Sequence, residues 1–511
     1  METIKEPARD IPVIDKVDVI VVGGGPAGIG AALASSRAGA RTFLVERFGS
    51  LGGQQTQGLN SVFSRVDPEI HNGIIQELIS RLREGGAMRK VDEKQQRRNP
   101  FRASLIRRYG EENLPKRLLN TNVGWWGGET IFDLEYYKYL LDSLMQNDGV
   151  KMFLHSFAAA VIREGDTLKG VIVEGKEGRR AVLGKVILDT TGDGDIAWKS
   201  GAPVLDDKIP MGRRKGRNMG SLTAFYLGGV NVQKYLEYRA NHMDEWGQMY
   251  GGHRMVREAR EKGAYIRGDS IILSPGHSVH GGGRMWVMNP MYGPRGDNHL
   301  WMTGEQTSLE ISLRRQAFEV QKLLKAQIPG FENCFVEKTA NYPVTTMHRI
   351  LGDHVLNVAE MREGKSFGDS IAINNQPPDI WEVAGRFGYE ILPHDIPYRS
   401  IVSKEIHNLL AAGTTISCGI FTDGGLRYCT PSMCTGQAAG TAAALAAKQN
   451  ISPKDLDVNL LQDTLRAQGA HTSVANISDE VLDPYRFIKK VSKVGKKSSD
   501  IEIDEEEIGR Y

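Results

Sequence analysis

The hydrophobic residues of the first fifty positions form two short apolar runs, separated by a segment of small residues. The first run ends at Val22, and the second, Thr42 to Val45, is closed by an acid, Glu46. Short apolar runs bounded by glycine and polar residues predict buried strands, and the small-residue segment Ile29 to Ala38 predicts a helix. The chain therefore begins with the strand, helix and strand of a parallel βαβ unit.

Further along, the apolar spacing switches between the helical and the extended period. Ile74, Leu78, Ile79 and Leu82 recur at helical spacing, and Asp133 is placed to start a second helix that runs to Met145. The mixed tail 489–511 predicts a disordered or peripheral segment. Strands are predicted at 151–155, 158–163, 168–174, 180–183, 186–191 and 409–413, and Pro431 opens a predicted helix over 432–448.

Length, charge and cysteine content narrow the class of protein. The 511 residues exceed what one hydrophobic core usually holds, so we expect two or three domains. A net charge of +2 gives no overall field to attract nucleic acid or a membrane surface. No apolar run is long enough to span a bilayer, residues 1–16 lack the apolar centre of a secretory signal, and we expect a cytoplasmic protein. The cysteines are too few for a disulfide framework and are expected to be buried small residues: Cys334, Cys418, Cys429 and Cys434.

Three glycines at the end of the first strand form a dinucleotide-binding fingerprint. Gly23 permits the sharp turn, Gly25 leaves room for a pyrophosphate, and Gly28 allows the helix to pack closely on the sheet. The pyrophosphate then meets a helix N-terminus, where free N–H groups favour negative charge. Glu46 stands where an acid accepts hydrogen bonds from a ribose. The fingerprint by itself does not distinguish FAD from NAD.

Later motifs give the chain a resemblance to a known family. The fingerprint, Leu51 to Gly53, the turn Thr191 to Asp195, Gly413, and Gly436 to Gly440 occur in the order seen in FAD-dependent oxidoreductases of glutathione-reductase-like fold. Within these, the chain looks most similar to the branch that includes the flavin domain of the heterodisulfide reductase A subunit. Three further segments resemble that branch: Pro329 to Glu332, His348 to Gly352 and Ile396 to Arg399.

The resemblance implies an α/β fold with a doubly wound, Rossmann-like FAD-binding domain. This domain is discontinuous, and a mixed α+β substrate or lid domain is inserted into it. The implied boundaries are 15–70, 146–205 and 400–470 for the FAD-binding domain, 71–145 for a helical insertion, 206–399 for the substrate or lid domain, and 471–511 for a C-terminal extension.

The same resemblance implies where FAD is held. The helix from Ser432 would point its N-terminus at the flavin pyrimidine, Asp193 and Asp195 would lie near the cofactor, and Thr56 would lie near the flavin edge. The implied cofactor-binding residues are Gly23, Gly25, Pro26, Ala27, Gly28, Glu46, Arg47, Gly52, Gly53, Gln54, Gln57, Ala158, Thr191, Gly192, Asp193, Gly413, Ser432, Gly436, Gln437 and Ala438.

The implied activity is hydride transfer between N5 of a non-covalently bound flavin and a small organic molecule, at a CH–OH, CH–NH or CH–CH bond. No second fingerprint with strand, helix and acid occurs, since Gly281 to Gly283 lie in polar, non-periodic sequence. We therefore expect no NAD(P)H domain, and the electron donor or acceptor stays open. The alternatives are an electron-transfer subunit with a protein partner, a flavoprotein whose FAD is structural, and a monooxygenase, which would need an NAD(P)H step. A homo-oligomer is also left open.

The candidate catalytic residues are His348 as a base, Arg349 facing flavin or substrate, and Tyr398 with Arg399 beside the flavin. Each has an alternative as a structural residue. Thr345 stands where family members often carry an arginine, which weakens the case for a carboxylate substrate. We expect no metal, because the H-x-x-H pair His277 and His280 lacks an acidic or thiol partner. Three aromatic residues would either stack on a substrate ring or belong to the core: Trp286, Tyr292 and Trp301.

Overall fold

The computed structural model describes residues 2–89, 106, 109–116, 130–205, 221–246, 250–275, 279–290, 303–343, 348–378 and 391–494. Within these ranges the fold is α/β, with one mixed sheet, one antiparallel sheet and two small strand pairs. The strands are β1 Val13–Val22, β2 Thr42–Val45, β3 Lys151–Phe153, β4 Phe157–Glu164, β5 Thr167–Gly175, β6 Gly178–Asp189, β7 Val204–Leu205, β8 Leu222–Gly228, β9 Tyr250–Gly251, β10 Ile271–Ser274, β11 Met285–Pro290, β12 Phe335–Thr339, β13 Arg349–Ile350, β14 Ser370–Asn374, β15 His394–Pro397 and β16 Leu409–Ala411.

The helices confirm the helical spacing read from the sequence. The run from Ile74 buries its apolar face, and Asp133 caps the next helix by accepting a 2.7 Å hydrogen bond from the Tyr136 amide. Every helix in the described ranges is too short or too polar to cross a bilayer. The helices are α1 Pro26–Arg37, α2 Ile74–Glu84, α3 Leu134–Asn147, α4 Asp195–Ser200, α5 Val232–Ala240, α6 Met243–Trp246, α7 His253–Glu261, α8 Thr303–Gln327, α9 Val358–Glu363, α10 Ile420–Leu426, α11 Cys429–Gln449, α12 Val458–Ala467 and α13 Asp479–Val494.

The mixed sheet has the order β3-β2-β1-β6-β5-β4, and β16 also pairs with β6. Strand β1 lies parallel to both β2 and β6. Along its other edge, β6 pairs first with the antiparallel strand β5 and then with the parallel strand β16. The separate strands predicted at 180–183 and 186–191 are wrong, because Gly184 continues the ladder opposite Val17 and makes β6 one strand.

Helices α1 and α11 lie against each other with almost no space between their backbones. A Cβ atom at Gly436 would lie 2.1 Å from the Ala27 carbonyl oxygen, and one at Gly440 would lie 2.1 Å from the Ala31 carbonyl oxygen. Gly30 of α1 meets α11 in the same way. The helix predicted over 432–448 is confirmed, although it begins at Cys429. These glycines are needed because only a hydrogen atom fits between the two helices.

The antiparallel sheet, in the order β12-β8-β11-β10-β9, has two covered faces. Alternate residues of β8 divide between them: Phe225 belongs to the core cluster that includes α8 residues, and Tyr226 belongs to a cluster around Leu59. Trp286 is buried in the second cluster and donates a 2.8 Å hydrogen bond to the Leu59 carbonyl. Trp286 is thus a core residue that holds this sheet to the loop after Gly53, whereas Tyr292 and Trp301 lie outside the described residues.

The C-terminal helix α13 packs onto the loop that precedes α2. Tyr485 is buried, donates to the Asp67 carboxylate at 3.2 Å and accepts from the Asn375 amide at 2.9 Å. The segment from residue 489 was predicted to be disordered or peripheral, and the first of these alternatives is wrong as far as Val494, where α13 ends. Residues 495–511 lie outside the described part of the chain.

Candidate cofactor site

A cleft opens at the carboxyl ends of β1, β2 and β6, where the N-termini of α1 and α11 also arrive. It encloses about 1270 Å³ of empty space, part of it open to solvent. In open sheets of this kind, ligands bind at the carboxyl ends of the parallel strands. The cleft is therefore the candidate cofactor site.

The glycine fingerprint shapes the floor of the cleft. Gly23 has φ +104°, and a Cβ atom there would lie 2.4 Å from the Thr190 carbonyl oxygen. A Cβ atom at Gly28 would lie 1.8 Å from the Gly23 oxygen, so this glycine is required by the protein's own packing. At Gly25 the nearest atom would be 3.9 Å away, on Gly53. The space in front of Gly25 is a cradle of the kind a pyrophosphate occupies.

Glu46 holds the fingerprint loop in place. Its side chain is buried and accepts hydrogen bonds from the Gly24 amide at 2.6 Å and from the Phe48 amide at 2.8 Å. Burial raises the pKa of this carboxyl, while the two amides and the neighbouring Arg47 act in the opposite direction. Glu46 lines the cleft from the end of β2, the position from which an acid reaches a ribose.

The turn between β6 and α4 forms another wall. Asp189 is fully buried, and its carboxylate accepts from the Thr191 hydroxyl at 2.7 Å and from the Ile196 and Ala197 amides at 3.0 and 2.9 Å. This carboxylate fixes the start of α4 and thereby the turn that carries Asp193. The sequence analysis missed Asp189, whose signal is an acid placed directly between a buried strand and the turn motif.

The N-terminus of α11 and the loop after Gly53 form a separate group of lining residues. Cys429 donates to the Val62 carbonyl at 3.2 Å, and Gln55 accepts a 3.0 Å hydrogen bond from the Tyr137 hydroxyl. Two side-chain oxygens of this loop, Gln54 Oε1 and Asn60 Oδ1, are buried and have no hydrogen-bond partner within the described residues. Unpaired buried acceptors are costly, which favours a turn of either side chain towards a ligand N–H or O–H group in the cleft.

Most of the predicted cofactor-binding residues line this cleft, and the others lie elsewhere in the fold. Gly28 lies beneath the fingerprint loop, and Gly52 donates its amide to the Gly24 carbonyl at 2.8 Å. The predicted residues that line the cleft are Gly23, Gly25, Pro26, Ala27, Glu46, Arg47, Gly53, Gln54, Ala158, Thr191, Gly192, Asp193, Gly413 and Ser432.

The remaining predicted positions have protein partners of their own. Gln57 donates to the Ser50 hydroxyl at 2.7 Å, and Gln437 accepts from the Ile74 amide at 3.0 Å, so that it caps α2. Gly436 packs on α1, and Ala438 is fully buried in the hydrophobic core that includes Ala27 and Ala31 of α1.

The three predicted catalytic residues are not among the described residues that line the cleft. Tyr398 is buried and donates to the Pro453 carbonyl at 2.8 Å, while Arg349 is buried and donates to the Cys418 carbonyl at 2.9 Å. His348 stacks on Trp198 with ring centroids 4.7 Å apart. Its backbone amide also donates to the Asp193 carbonyl, so His348 lies behind the wall of the cleft.

Within the described residues, no group of His, Cys, Asp and Glu side chains is placed to hold a metal ion. His280 is exposed and lies 3.1 Å from the Asp133 carboxylate, and His277 lies outside the described residues.

Several residues that line the cleft were not predicted from the sequence, because positions without apolar periodicity give no local signal. They are Phe48, Gln55, Asn60, Ser156, Phe157, Tyr342, Thr414, Arg427, Tyr428 and Cys429.

The open space at Gly25 leads to a prediction. Replacing Gly25 with alanine should leave the stability of the apoprotein within about 0.5 kcal/mol, because the new methyl group would come no closer than 3.9 Å to the atoms of the described residues. FAD affinity should fall about 100-fold or more, because the methyl group enters the phosphate cradle. Fluorescence titration of the apoprotein with FAD measures this. Equal FAD affinity in the variant and the wild type would show that the cradle does not hold the pyrophosphate.

Comparisons with known proteins assign the chain to a family. Among solved structures, a geranylgeranyl bacteriochlorophyll reductase-like protein from Thermoplasma acidophilum is 14% identical, with 97% of this chain and 95% of that chain covered and a TM-score of 0.42. The p-nitrophenol 4-monooxygenase PnpA from Pseudomonas putida is 12% identical, with 94% and 98% covered and a TM-score of 0.44. No curated protein matches the chain. The family model FAD dependent oxidoreductase matches residues 18–465, so this chain belongs to the FAD-dependent oxidoreductases and its cofactor is FAD.

Proposed function

We propose that this protein transfers a hydride between flavin N5 and a small organic substrate at a CH–OH, CH–NH or CH–CH bond. The observation that carries the proposal is the N-terminus of α11 at one side of the cleft, where Cys429 and Ser432 line it together with Gln54 and Asn60. In this proposal Glu46 faces the ribose and the fingerprint faces the pyrophosphate. The α11 side of the cleft is left for the flavin ring and the substrate.

FAD, when bound, supplies hydride chemistry at N5. The chain's own residues bind the cofactor and the substrate and orient them. Gln54 and Asn60 line the same side of the cleft, and the Gln54 side chain is fixed because its Nε2 donates to the Pro343 carbonyl at 2.9 Å. Helix α11 begins at Cys429, so its N-terminus favours negative charge on this side of the cleft.

His348 could act as a base only on a substrate that is long enough to extend past the Asp193 turn, and the proposal includes this role only for such a substrate. Among the described residues, no histidine lines the cleft. The segments that resemble the heterodisulfide reductase A branch, His348 to Gly352 among them, support placing the chain in that branch. The proposed partners are the small substrate and a diffusible electron donor or acceptor.

Anaerobic mixing of the holoenzyme with alcohols, amines and enoates tests the proposal. We expect one class to bleach the oxidised-flavin absorbance, or to reoxidise reduced enzyme, and we expect Asn60→Leu to slow that step at least 10-fold. Asn241→Leu, on the surface after α5, is the matched control and should keep the wild-type rate. If dithionite reduces the flavin but none of the substrate classes reacts with it, that result would contradict hydride transfer. It would favour electron transfer with a protein partner.

A further inference from the structure

Two charged residues reach towards each other across the fingerprint loop. Arg47 follows β2 and Asp193 follows β6, and the sheet order places β1 between these strands. Adjacent strands lie about 4.8 Å apart, so β2 and β6 are separated by about 10 Å. The guanidinium nevertheless lies 3.6 Å from the Asp193 carboxylate. The pair therefore spans the cleft above the end of β1, where the fingerprint begins.

Tyr342, which follows β12 of the antiparallel sheet, completes this bridge. Its hydroxyl donates to Asp193 Oδ2 at 2.5 Å, and its ring centroid lies 4.3 Å from the Arg47 guanidinium carbon. The Phe48 ring contacts Tyr342 edge-on, with centroids 5.7 Å apart. Tyr342 is thus held by a charge-assisted hydrogen bond and by a cation–π contact at once.

The residues on either side of Tyr342 are tied to another rim of the cleft. Asn341 donates its backbone amide to the Gln57 carbonyl at 2.8 Å and its side-chain amide to Gln57 Oε1 at 3.0 Å. Pro343 accepts from Gln54 at 2.9 Å. Residues 341–343 therefore cross between the loop after Gly53 and the Arg47–Asp193 pair.

The electrostatics favour a closed bridge. The Asp193 side chain is 5% exposed and the Arg47 side chain 28% exposed. Burial alone would lower the pKa of Arg47, but Tyr342 and Asp193 raise it above its usual value, so the guanidinium stays charged. Opening the bridge would cost the Asp193 carboxylate its contacts with Arg47 and Tyr342.

We propose that Arg47, Asp193 and Tyr342 form a latch over the adenosine-diphosphate part of FAD, and that residues 341–343 must lift before FAD enters or leaves. The latch adds Tyr342 to the cofactor site from a distant part of the chain. The inference depends on the FAD cofactor and on the cleft, and it is independent of the reaction that the flavin performs.

Stopped-flow flavin fluorescence tests the latch by measuring FAD entry into the apoprotein and FAD release from the holoprotein. Tyr342→Phe removes the hydroxyl that Asp193 accepts, and we expect both entry and release to become about 10-fold faster. Asn341→Ala frees residues 341–343 without touching Arg47 and should also speed both steps. Tyr238→Phe, on α5 beside His242, is the matched control and should change neither rate.

The outcomes separate a latch from an ordinary contact. Faster release with unchanged entry would overturn the proposal, because a lost contact alone does not speed entry. Unchanged rates in both Tyr342→Phe and Asn341→Ala would overturn it as well. Thermal unfolding of each apoprotein variant verifies that the rates refer to folded protein. The experiment measures cofactor exchange, so its result is valid even if the hydride-transfer assay fails.

Discussion

Replacing Gly436 with alanine is expected to lower the free energy of unfolding by about 2 kcal/mol and to weaken FAD binding about 10-fold. The alanine methyl group would lie 2.1 Å from the Ala27 carbonyl oxygen, a backbone atom that cannot rotate away. Helix α11 must then move off α1. Ala27 and Pro26 line the cleft at the start of α1, so this movement also disturbs the phosphate cradle.

Helix propensity alone would make Gly436→Ala more stable, which is the opposite of the expected change. Alanine is better than glycine inside a helix by about 1 kcal/mol, so a net loss of stability has to come from packing. Gly304 in α8 is the matched control, since a Cβ atom there would meet no atom of the described residues within 4 Å. We expect Gly304→Ala to leave stability unchanged or to raise it slightly. Urea unfolding of the two apoproteins measures both effects, and equal stability of Gly436→Ala and wild type would contradict the close packing.

Acidification from pH 6.5 to pH 4.5 is expected to remove roughly 5 kcal/mol of stability through two buried histidines. Burial lowers the pKa of His71 to about 3 and that of His394 to about 4. Burial keeps His394 neutral, while the contact of its Nδ1 with the Leu392 carbonyl at 2.9 Å raises its pKa, and its Nε2 lies 3.4 Å from the Asn374 amide.

The direction follows from where each state binds protons. Below about pH 6.5 both histidines are protonated in the unfolded chain. In the folded chain they stay neutral until the pH approaches 4. The stability from these groups is therefore complete above about pH 6.5 and decreases by about 1.4 kcal/mol per pH unit and per histidine as the pH falls. Burial raises the pKa of the Asp395 carboxyl, which opposes this loss as the pH falls.

A variant isolates the histidine contribution from that of the carboxyls. His394→Gln should be less stable than wild type at pH 7, yet its stability should fall less steeply between pH 6.5 and pH 4.5. Asn241→Leu, on the surface after α5, replaces no titratable group and should keep the wild-type slope. Parallel slopes for His394→Gln and wild type in urea unfolding would show that His394 is protonated in the folded protein.

The sequence predicted the fingerprint because all of its determinants lie close together in the chain. A buried strand, three spaced glycines and Glu46 form one βαβ unit whose geometry follows from local rules. The helical spacing of α2 was equally local, since its apolar residues lie on one face of a single helix. Such features depend on neighbours within about one or two turns.

Small residues in α11 showed the limit of this reasoning. Glycine permits close approach, but the pattern does not say whether a ligand or another helix approaches. Ser432 lines the cleft, whereas Gly436, one turn later, packs against α1. Tyr342 and Asn60 carry no local signal at all, because only the tertiary fold brings the end of β12 and the loop after Gly53 to the cleft.

The contact between α1 and α11 also has a consequence for biosynthesis. Ala27 and Gly436 touch in the folded protein but stand near opposite ends of the chain. A ribosome adds about 5–20 residues per second, so the first helix waits tens of seconds for its partner. The nascent chain has no complete cradle until α11 emerges, and FAD loading therefore follows the synthesis of α11. Prematurely terminated chains that lack α11 would expose the apolar side of the mixed sheet and become substrates for chaperones and proteases.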